Sequence, residues 1–323
     1  MENQVRRAQA GFENDVNSMG VRLYNLIILL VDIIVVNIKW ILYTIESVYH
    51  IFSPPPEVDV RGEIVLITGA AHGIGKELAL QYARRGAIVV CWDINEKGNI
   101  ETCDEIKAQG GKAYHYVCDV TKRQEILDVA EKVKKEVGIV SILVNNAGIM
   151  PCHPLLQHTE KEITTMYQIN VLAHFWMIQA FLPDMIEKNR GHIVALSSCA
   201  GLFGLKNLVP YCGTKFAVRG YMQALQEELR ADSRNPNVKF TTIYPYMVDT
   251  GLCKRPHARF EHLLKLVKPE EAAASIIEAQ RRGIEEASVP RRYYYLEKYG
   301  RLFPRKAMVL VTDLLDTGVH SDL

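Results

Sequence analysis

The sequence predicts an α/β fold: a single domain built on a doubly wound parallel sheet, behind an N-terminal hydrophobic helix. Three observations predict it. From Glu63 onward, short runs rich in Val and Ile alternate with helical stretches of ten residues or more. A glycine-rich turn, Thr68-Gly-Ala-Ala-His-Gly-Ile-Gly75, follows the first run and opens the first helix. Ahead of both, Val21 to Phe52 is almost unbroken apolar sequence. Alternating strands and helices imply crossover connections, which cover a parallel sheet on both faces.

In order along the chain, residues 1–20 read as a polar tail and 21–56 as a hydrophobic membrane anchor with a proline linker. Leu23 to Val36 and Trp40 to Tyr43 carry the apolar pattern, and Ser53-Pro-Pro-Pro56 ends it, since prolines cannot continue a helix and push their neighbours toward extended backbone. A bilayer span needs about 20 apolar residues, which this stretch supplies. It is too long and begins too late for a cleaved signal. Asn25, Asp32, Lys39 and Glu46 recur every seven residues and form one narrow polar stripe, with Asn37 as the main exception. An Asp near the centre of a spanning helix costs about 2.5–3.5 kcal/mol. A partner helix or a shallow interfacial placement reduces that cost, so full span and monotopic anchor both stay open. A buried core helix is the alternative.

Residues 57–323 form the α/β domain. Ile64–Thr68, Ala87–Trp92, Ala113–Cys118, Ile139–Val144, His192–Leu196 and Val238–Tyr244 read as strands, and Lys76–Arg85, Thr121–Val137 and Glu160–Lys188 as helices. Leu78, Ala79, Tyr82 and Ala83 give the first helix an apolar face, and Gly86 follows it as a C-terminal stop. Pro269-Glu-Glu opens a further helix with Pro in the first turn and acids at the positive dipole end. The segment 255–323 reads as a lid or membrane-facing part. Its Arg291-Arg-Tyr-Tyr-Tyr-Leu-Glu-Lys-Tyr-Gly-Arg-Leu-Phe-Pro304 suits either a headgroup interface or packing on the core.

Composition excludes other classes. The formal net charge is +1 and no basic tract interleaved with aromatics dominates, which argues against a nucleic-acid partner. Seven scattered cysteines without a C-x-x-C pair read as free thiols in a reducing compartment, and no glycosylation sequon marks the chain as lumenal. His153 with His158, and His257 with His262, lack a carboxylate in a metal-like pattern and read as solvent-exposed imidazoles, so no metal is expected. Cys199 and Cys212 read as small packing residues.

The residues that carry chemistry stand in a fixed order. Gly69, His72, Gly73, Ile74 and Gly75 make a Rossmann-type turn whose backbone amides can approach a pyrophosphate at a helix N-terminus. Asp93, about twenty residues on at the end of the second strand, can bind ribose hydroxyls and repel a 2′-phosphate. That favours NAD over NADP, although Lys97 lies close enough in sequence to keep NADP in view. Tyr211 and Lys215 sit four apart on one helix face, where an ammonium can lower a phenol pKa that is about 10 in isolation. A phenol tuned toward neutrality is a general acid/base for an alcohol or ketone.

With Asp119-Val120, Asn145-Asn-Ala-Gly148, Asn170 and Ser198 added in order, the chain resembles a short-chain dehydrogenase/reductase from about Gly62 onward. Trp92-Asp-Ile-Asn95, Val140 to Gly148 and Asn170-Val-Leu-Ala-His-Phe-Trp176 resemble the membrane-associated subgroup of lipid-droplet 17-beta-hydroxysteroid dehydrogenases and epidermal retinol dehydrogenases. The resemblance implies Tyr211 as acid/base, Lys215 as its electrostatic tuner and ribose ligand, Ser198 as the hydrogen-bond partner of the substrate oxygen, and Asn170 as the holder of a proton-relaying water. It implies that Asp119 and Val120 flank the adenine and that Asn146, Ala147 and Gly148 line the cofactor cleft. Pro245, Val248 and Thr250 would pass over the nicotinamide. Ser197 is the rival of Ser198 and would point into the scaffold. The family pattern has Pro-Gly where this chain has Pro245-Tyr246. The resemblance further implies a homodimer, a lipophilic alcohol or ketone as substrate, and a cytosol-facing domain on the endoplasmic reticulum membrane or a lipid droplet. A lipid-surface scaffold with little catalysis and an NADP-dependent ketone reductase are the alternatives.

Overall fold

The computed structural model describes residues 19–260 and 265–322; the polar tail up to residue 18, and His262, lie outside them. The chain divides into two compact units, Met1–Pro56 and Glu57–Leu323. The first contains one continuous helix, α1 (Met19–Phe52), in which Asn37 and Thr44 turn their side chains back onto the carbonyls of Ile33 and Trp40, each one turn earlier. Its large apolar side chains are exposed from Leu23 to Phe52, and it is long and apolar enough to cross a membrane.

The second unit runs β1 (Ile64–Thr68), α2 (Gly73–Arg84), β2 (Ile88–Asp93), α3 (Glu96–Ala108), β3 (Lys112–Val117), α4 (Arg123–Glu136), β4 (Ile142–Asn145), α5 (Glu160–Tyr167), α6 (Ala173–Glu187), β5 (Gly191–Leu196), α7 (Val209–Ala231), β6 (Val238–Pro245), β7 (Pro256–Ala258), α8 (Pro269–Arg281), β8 (Glu286–Val289), α9 (Arg292–Gly300), α10 (Arg305–Leu315) and β9 (Thr317–Val319). Seven strands form one parallel sheet in the order β3-β2-β1-β4-β5-β6-β8. The doubly wound fold is therefore as the sequence implied, with one strand more. Because strand side chains alternate between faces, Val65 and Ile67 pack with Leu78 and Tyr82 of α2 and Ile276 of α8, while Leu66 packs with Ile126 of α4, Phe181 of α6 and Val218 of α7.

Several boundaries differ from those the sequence implied: most strand ends shift by one residue, and α2 starts at Gly73, three residues earlier than expected. β4 starts three residues later than expected, at Ile142, just after Ser141, whose hydroxyl donates to Glu63. The helix expected over Glu160–Lys188 is interrupted by a π turn, Gln168–Leu172, between α5 and α6. α4 begins at Arg123, since Asp119 and Thr121 form a side-chain-bonded turn instead.

Candidate active site

The glycine turn is clamped from the side. Thr68 Oγ1 accepts the backbone amides of Asn146 and Ala147 at 3.0 and 3.1 Å, and Asn146 Nδ2 donates to the Thr68 carbonyl at 2.8 Å. A methyl group on Gly75 would lie 2.0 Å from the Gly69 carbonyl oxygen, so only glycine fits where α2 starts against the turn. His72, the N-cap, is extended and its side chain caps nothing. The first amides of α2 are thus free of a side-chain cap and, with the helix dipole, suit an anion. A methyl on Gly73 would meet Thr250 Cβ at 3.0 Å, which places the loop after β6 directly over the turn. This cradle fits a dinucleotide pyrophosphate.

Asp93 is buried at the end of β2, and its two oxygens accept the amides of Ala71 (3.0 Å) and Asn95 (2.9 Å), tying it to the turn. Lys97 is exposed and its ammonium faces Glu101 at 3.9 Å. Asp119 accepts from the Thr121 amide and hydroxyl and pairs with Lys122 at 3.3 Å; Val120 beside it is buried.

The chemical groups gather between β5, the π turn and α7. Tyr211 and Lys215 are both buried on α7. Lys215 Nζ donates to the Leu196 carbonyl at 2.9 Å and stands 5.6 Å from the Tyr211 ring centre. Ser198 Oγ accepts the Ala200 amide at 3.1 Å and donates to the Pro245 carbonyl at 3.5 Å, on the same cavity wall as Tyr211. Ser197 is buried and donates to the Lys215 carbonyl at 2.8 Å, so it braces the helix. The π turn carries Asn170, fully buried: its Oδ1 accepts the Ile149 amide at 2.9 Å, and its Nδ2 donates to the Ile149 carbonyl and to Thr214 Oγ1.

Burial works against the expected tuning of the pair. Desolvation pushes the Tyr211 phenol above its ordinary value; the nearby Ser198 hydroxyl opposes this without reversing it. Desolvation also pushes the Lys215 ammonium down to about 8. The cause for both is burial, on a helix face packed inside the domain.

A cavity of about 500 Å³ brings most of these residues together. Gly69, His72, Gly73, Ile74 and Gly75 line it, with Asn146, Ala147 and Gly148, then Ser198, Tyr211 and Lys215, then Pro245, Val248 and Thr250. Asp93, Asp119, Val120 and Asn170 do not: Asp93 ends β2, Asp119 and Val120 follow β3, and Asn170 stands behind Gly148. The sequence reading missed the remaining wall. One face of α9 (Tyr293, Leu296, Glu297, Gly300) and one of α10 (Met308, Val311, Thr312, Leu315) close the cavity with β9. The spacing of three and four residues was the available signal. β9 is strapped down by pairing with β7 and by Asn207 Nδ2 on the Val319 carbonyl at 2.9 Å. The segment read as lid or membrane face therefore packs on the core, while Tyr295, Tyr299, Leu302 and Phe303 stay exposed.

One minor expectation needs correction. The His153 and His158 side chains are buried, and both rings face Glu162, at 3.3 and 3.7 Å, because the loop folds back on the α5 capping box. His257 sits 3.2 Å from Asp316. Among the described residues no group of three acids, histidines and cysteines converges as a metal site. The seven cysteines are free, and Cys199 and Cys212 are buried in apolar clusters.

The short chain dehydrogenase family matches residues 63–259. Short-chain dehydrogenase/reductase family 16C member 6 of Bos taurus is 43% identical over 75% of this chain and 76% of its own length. Epidermal retinol dehydrogenase 2 of Mus musculus is 39% identical over 86% of this chain and 90% of its own. Human 17-beta-hydroxysteroid dehydrogenase 13 is 37% identical over 88% and 93%. Among solved structures, a short chain dehydrogenase/reductase from Burkholderia phymatum in complex with NAD has a TM-score of 0.67 at 23% identity, covering 74% of this chain and 93% of that one, a likeness of fold. A metagenomic short-chain oxidoreductase in complex with NADP has a TM-score of 0.60 at 27% identity, covering 71% and 97%. The family match runs from the first strand past the helix that bears Tyr211 and Lys215, and the chain belongs to the short-chain dehydrogenases, oxidoreductases that act on hydroxyl groups.

Proposed function

We propose that the protein is a membrane-attached, NAD-dependent dehydrogenase that interconverts a lipophilic alcohol and its ketone or aldehyde. One observation carries this reading: Ser198 and Tyr211 both line a cavity of about 500 Å³ whose far walls are built from Leu, Met, Val and Phe. The retinol and 17-beta-hydroxysteroid dehydrogenases among its relatives support an oily substrate, and the carboxylate of Asp93 supports NAD over NADP. The apolar α1, together with exposed Tyr and Phe on α9 and its following turn, supports attachment to the endoplasmic reticulum membrane or a lipid droplet, with the domain in the cytosol. A homodimer belongs to the same proposal.

In this reading Ser198 orients the substrate oxygen through its hydroxyl. Tyr211 removes the alcohol proton during oxidation and returns it during reduction. Lys215 stabilises the phenolate by charge, and the Asn170–Thr214–Ile149 bonds fix the π turn behind it. The glycine turn and Thr250 would hold the dinucleotide, with Asp93 at its adenosine ribose. A nicotinamide bound there supplies the hydride acceptor or donor for the carbinol carbon. Tyr211→Phe tests the mechanism: turnover of sterol and retinoid alcohols with NAD is expected to fall at least about a thousand-fold, within the range attributed to acid–base catalysis, while NADH binding persists. Full activity in Tyr211→Phe would sink it.

A further inference from the structure

Four polar residues recur along α1 at the same spacing: Asn25, Asp32, Lys39 and Glu46, all exposed. A seven-residue spacing falls about 20° short of whole turns on a straight helix, so the four form one narrow, slowly drifting row. The row three residues on, Ile28, Val35, Leu42 and Tyr49, is apolar and also exposed. Together the two rows make the a and d positions of a heptad, the pattern by which one helix meets another. Two other polar side chains of α1 need no outside partner, since Asn37 Nδ2 donates to the Ile33 carbonyl at 2.7 Å and Thr44 Oγ1 to that of Trp40 at 2.8 Å. The polar row differs. Asn25, Asp32 and Lys39 bond nothing among the described residues, and Glu46 faces His50 at 3.7 Å.

Unpaired charges against lipid are costly, and a second helix can pair them. The order of the row decides which helix. Beside a parallel copy of α1 in register, Asp32 meets Asp32, Lys39 meets Lys39 and Glu46 meets Glu46, three like-charge contacts. Beside an antiparallel copy, turned about a point between Val35 and Val36, Asp32 of each copy meets Lys39 of the other, and Asn25 of each meets Glu46 of the other. Every carboxylate then gains an ammonium or an amide donor, and no like charges meet. Symmetry ties this to placement in the membrane. Two copies whose domains stand on the same side of a membrane are related by an axis along its normal. That axis makes spanning helices parallel and helices lying in the membrane plane antiparallel. The length of α1 agrees, since 34 residues reach about 50 Å, well beyond a hydrocarbon core of about 30 Å.

We propose that α1 lies in the plane of the membrane as an antiparallel pair with α1 of a second copy of this chain, joined by Asp32–Lys39 ion pairs and Asn25–Glu46 hydrogen bonds, each made twice. This rests on the membrane attachment and homodimer proposed above, and gives them one shared surface. Polar residues at a positions set the register and direction of paired helices, which is the part assigned to this row.

The test uses full-length protein with one added cysteine, reconstituted into phosphatidylcholine vesicles, floated on a density gradient and oxidised with copper phenanthroline. The unaltered chain, whose seven cysteines all lie outside α1, sets the background. A disulfide needs Cα atoms within about 7 Å of each other. Val35→Cys, beside the twofold axis, is expected to cross-link with itself. Ile28→Cys and Leu42→Cys each stand about 20 Å from their own counterparts and should not self-cross-link, but they should cross-link with one another when two differently tagged chains are mixed before reconstitution. Adding Asp32→Lys or Lys39→Asp to the Val35→Cys chain should lower its cross-linking about ten-fold, and adding both together should restore it. Self-cross-linking at all three positions, as a parallel spanning pair gives, would overturn the proposal. So would cross-linking no higher than background, or cross-linking indifferent to the charge exchanges. A chain absent from the floated fraction would sink the membrane reading and this proposal with it, whereas a floated chain with the wrong cross-links sinks the pairing alone.

Discussion

Replacing Gly75 by alanine adds one carbon at the most crowded point of the glycine turn. The new Cβ would stand 2.0 Å from the Gly69 carbonyl oxygen and 2.6 Å from Asn146 Nδ2. Non-bonded heavy atoms settle near 3.5 Å, so the turn must open by about 1.5 Å. Gly69 cannot yield without loss: its amide donates to the Trp92 carbonyl at 2.8 Å, and its carbonyl accepts from Asn146 at 3.2 Å. Two broken hydrogen bonds at about 1 kcal/mol each, with about 1–3 kcal/mol of overpacking strain, come to about 3–5 kcal/mol. The same opening displaces the amides at the start of α2, so NADH affinity is expected to fall by about a hundred-fold or more. Thermal unfolding with and without NAD, together with an NADH fluorescence titration, reads both effects. Gly220→Ala is the internal control: nothing lies within 4 Å of its added methyl, inside α7, and stability should rise by about 0.5–1 kcal/mol. A Gly75→Ala protein that melts with the wild type and binds NADH within about two-fold of it would refute the role given to this turn.

Three further outcomes are expected. Burial lowers Lys215 to about 8, so its ammonium is present below that pH and lost above it; ketone reduction should hold level below about pH 8 and decline above it, and Lys215→Arg should move the decline upward. An unmoved pH profile would assign the decline to another group. Asn170→Ala strips bonds from the Ile149 amide, the Ile149 carbonyl and Thr214, and should cost about 2–4 kcal/mol by denaturant titration; a change below about 0.5 kcal/mol would remove Asn170 from the support of the π turn. Deleting residues 1–56 should leave a domain that is aqueous, or that clings to lipid only through residues 291–304. Full-length protein found wholly in the aqueous phase after detergent partition would end the anchor reading.

Local features were legible in the sequence and tertiary ones were not. Ile64–Thr68 could be read to the residue because a buried Val/Ile run stops at a glycine turn, and both signals are written within a few positions. β8 went unread because Glu286-Ala-Ser-Val289 is four mixed residues long, and only its place beside β6 makes it a strand. The π turn at Gln168–Leu172 leaves the apolar period nearly intact, so Glu160 to Lys188 read as one helix. The Tyr211–Lys215 spacing announced the pair, but the displacement of both pKa values depends on burial, which only the assembled fold supplies. The same holds for Tyr246, visible as a departure from the pattern and intelligible only once Tyr293 is seen stacked on it.

The walls of the cavity come from opposite ends of the chain. The glycine turn closes with residues 146–148, whereas α9, α10 and β9 draw on residues 292–319. During synthesis the ribosome therefore delivers the glycine-turn cradle well before the part that closes the cavity. A nascent chain can gain stability from a bound dinucleotide by mass action while the lining of its cavity is still exposed to solvent. Cofactor supply during translation thus bears on yield, and a bulky fusion placed after β9 would be felt first as a leaky chamber and only later as a loss of fold.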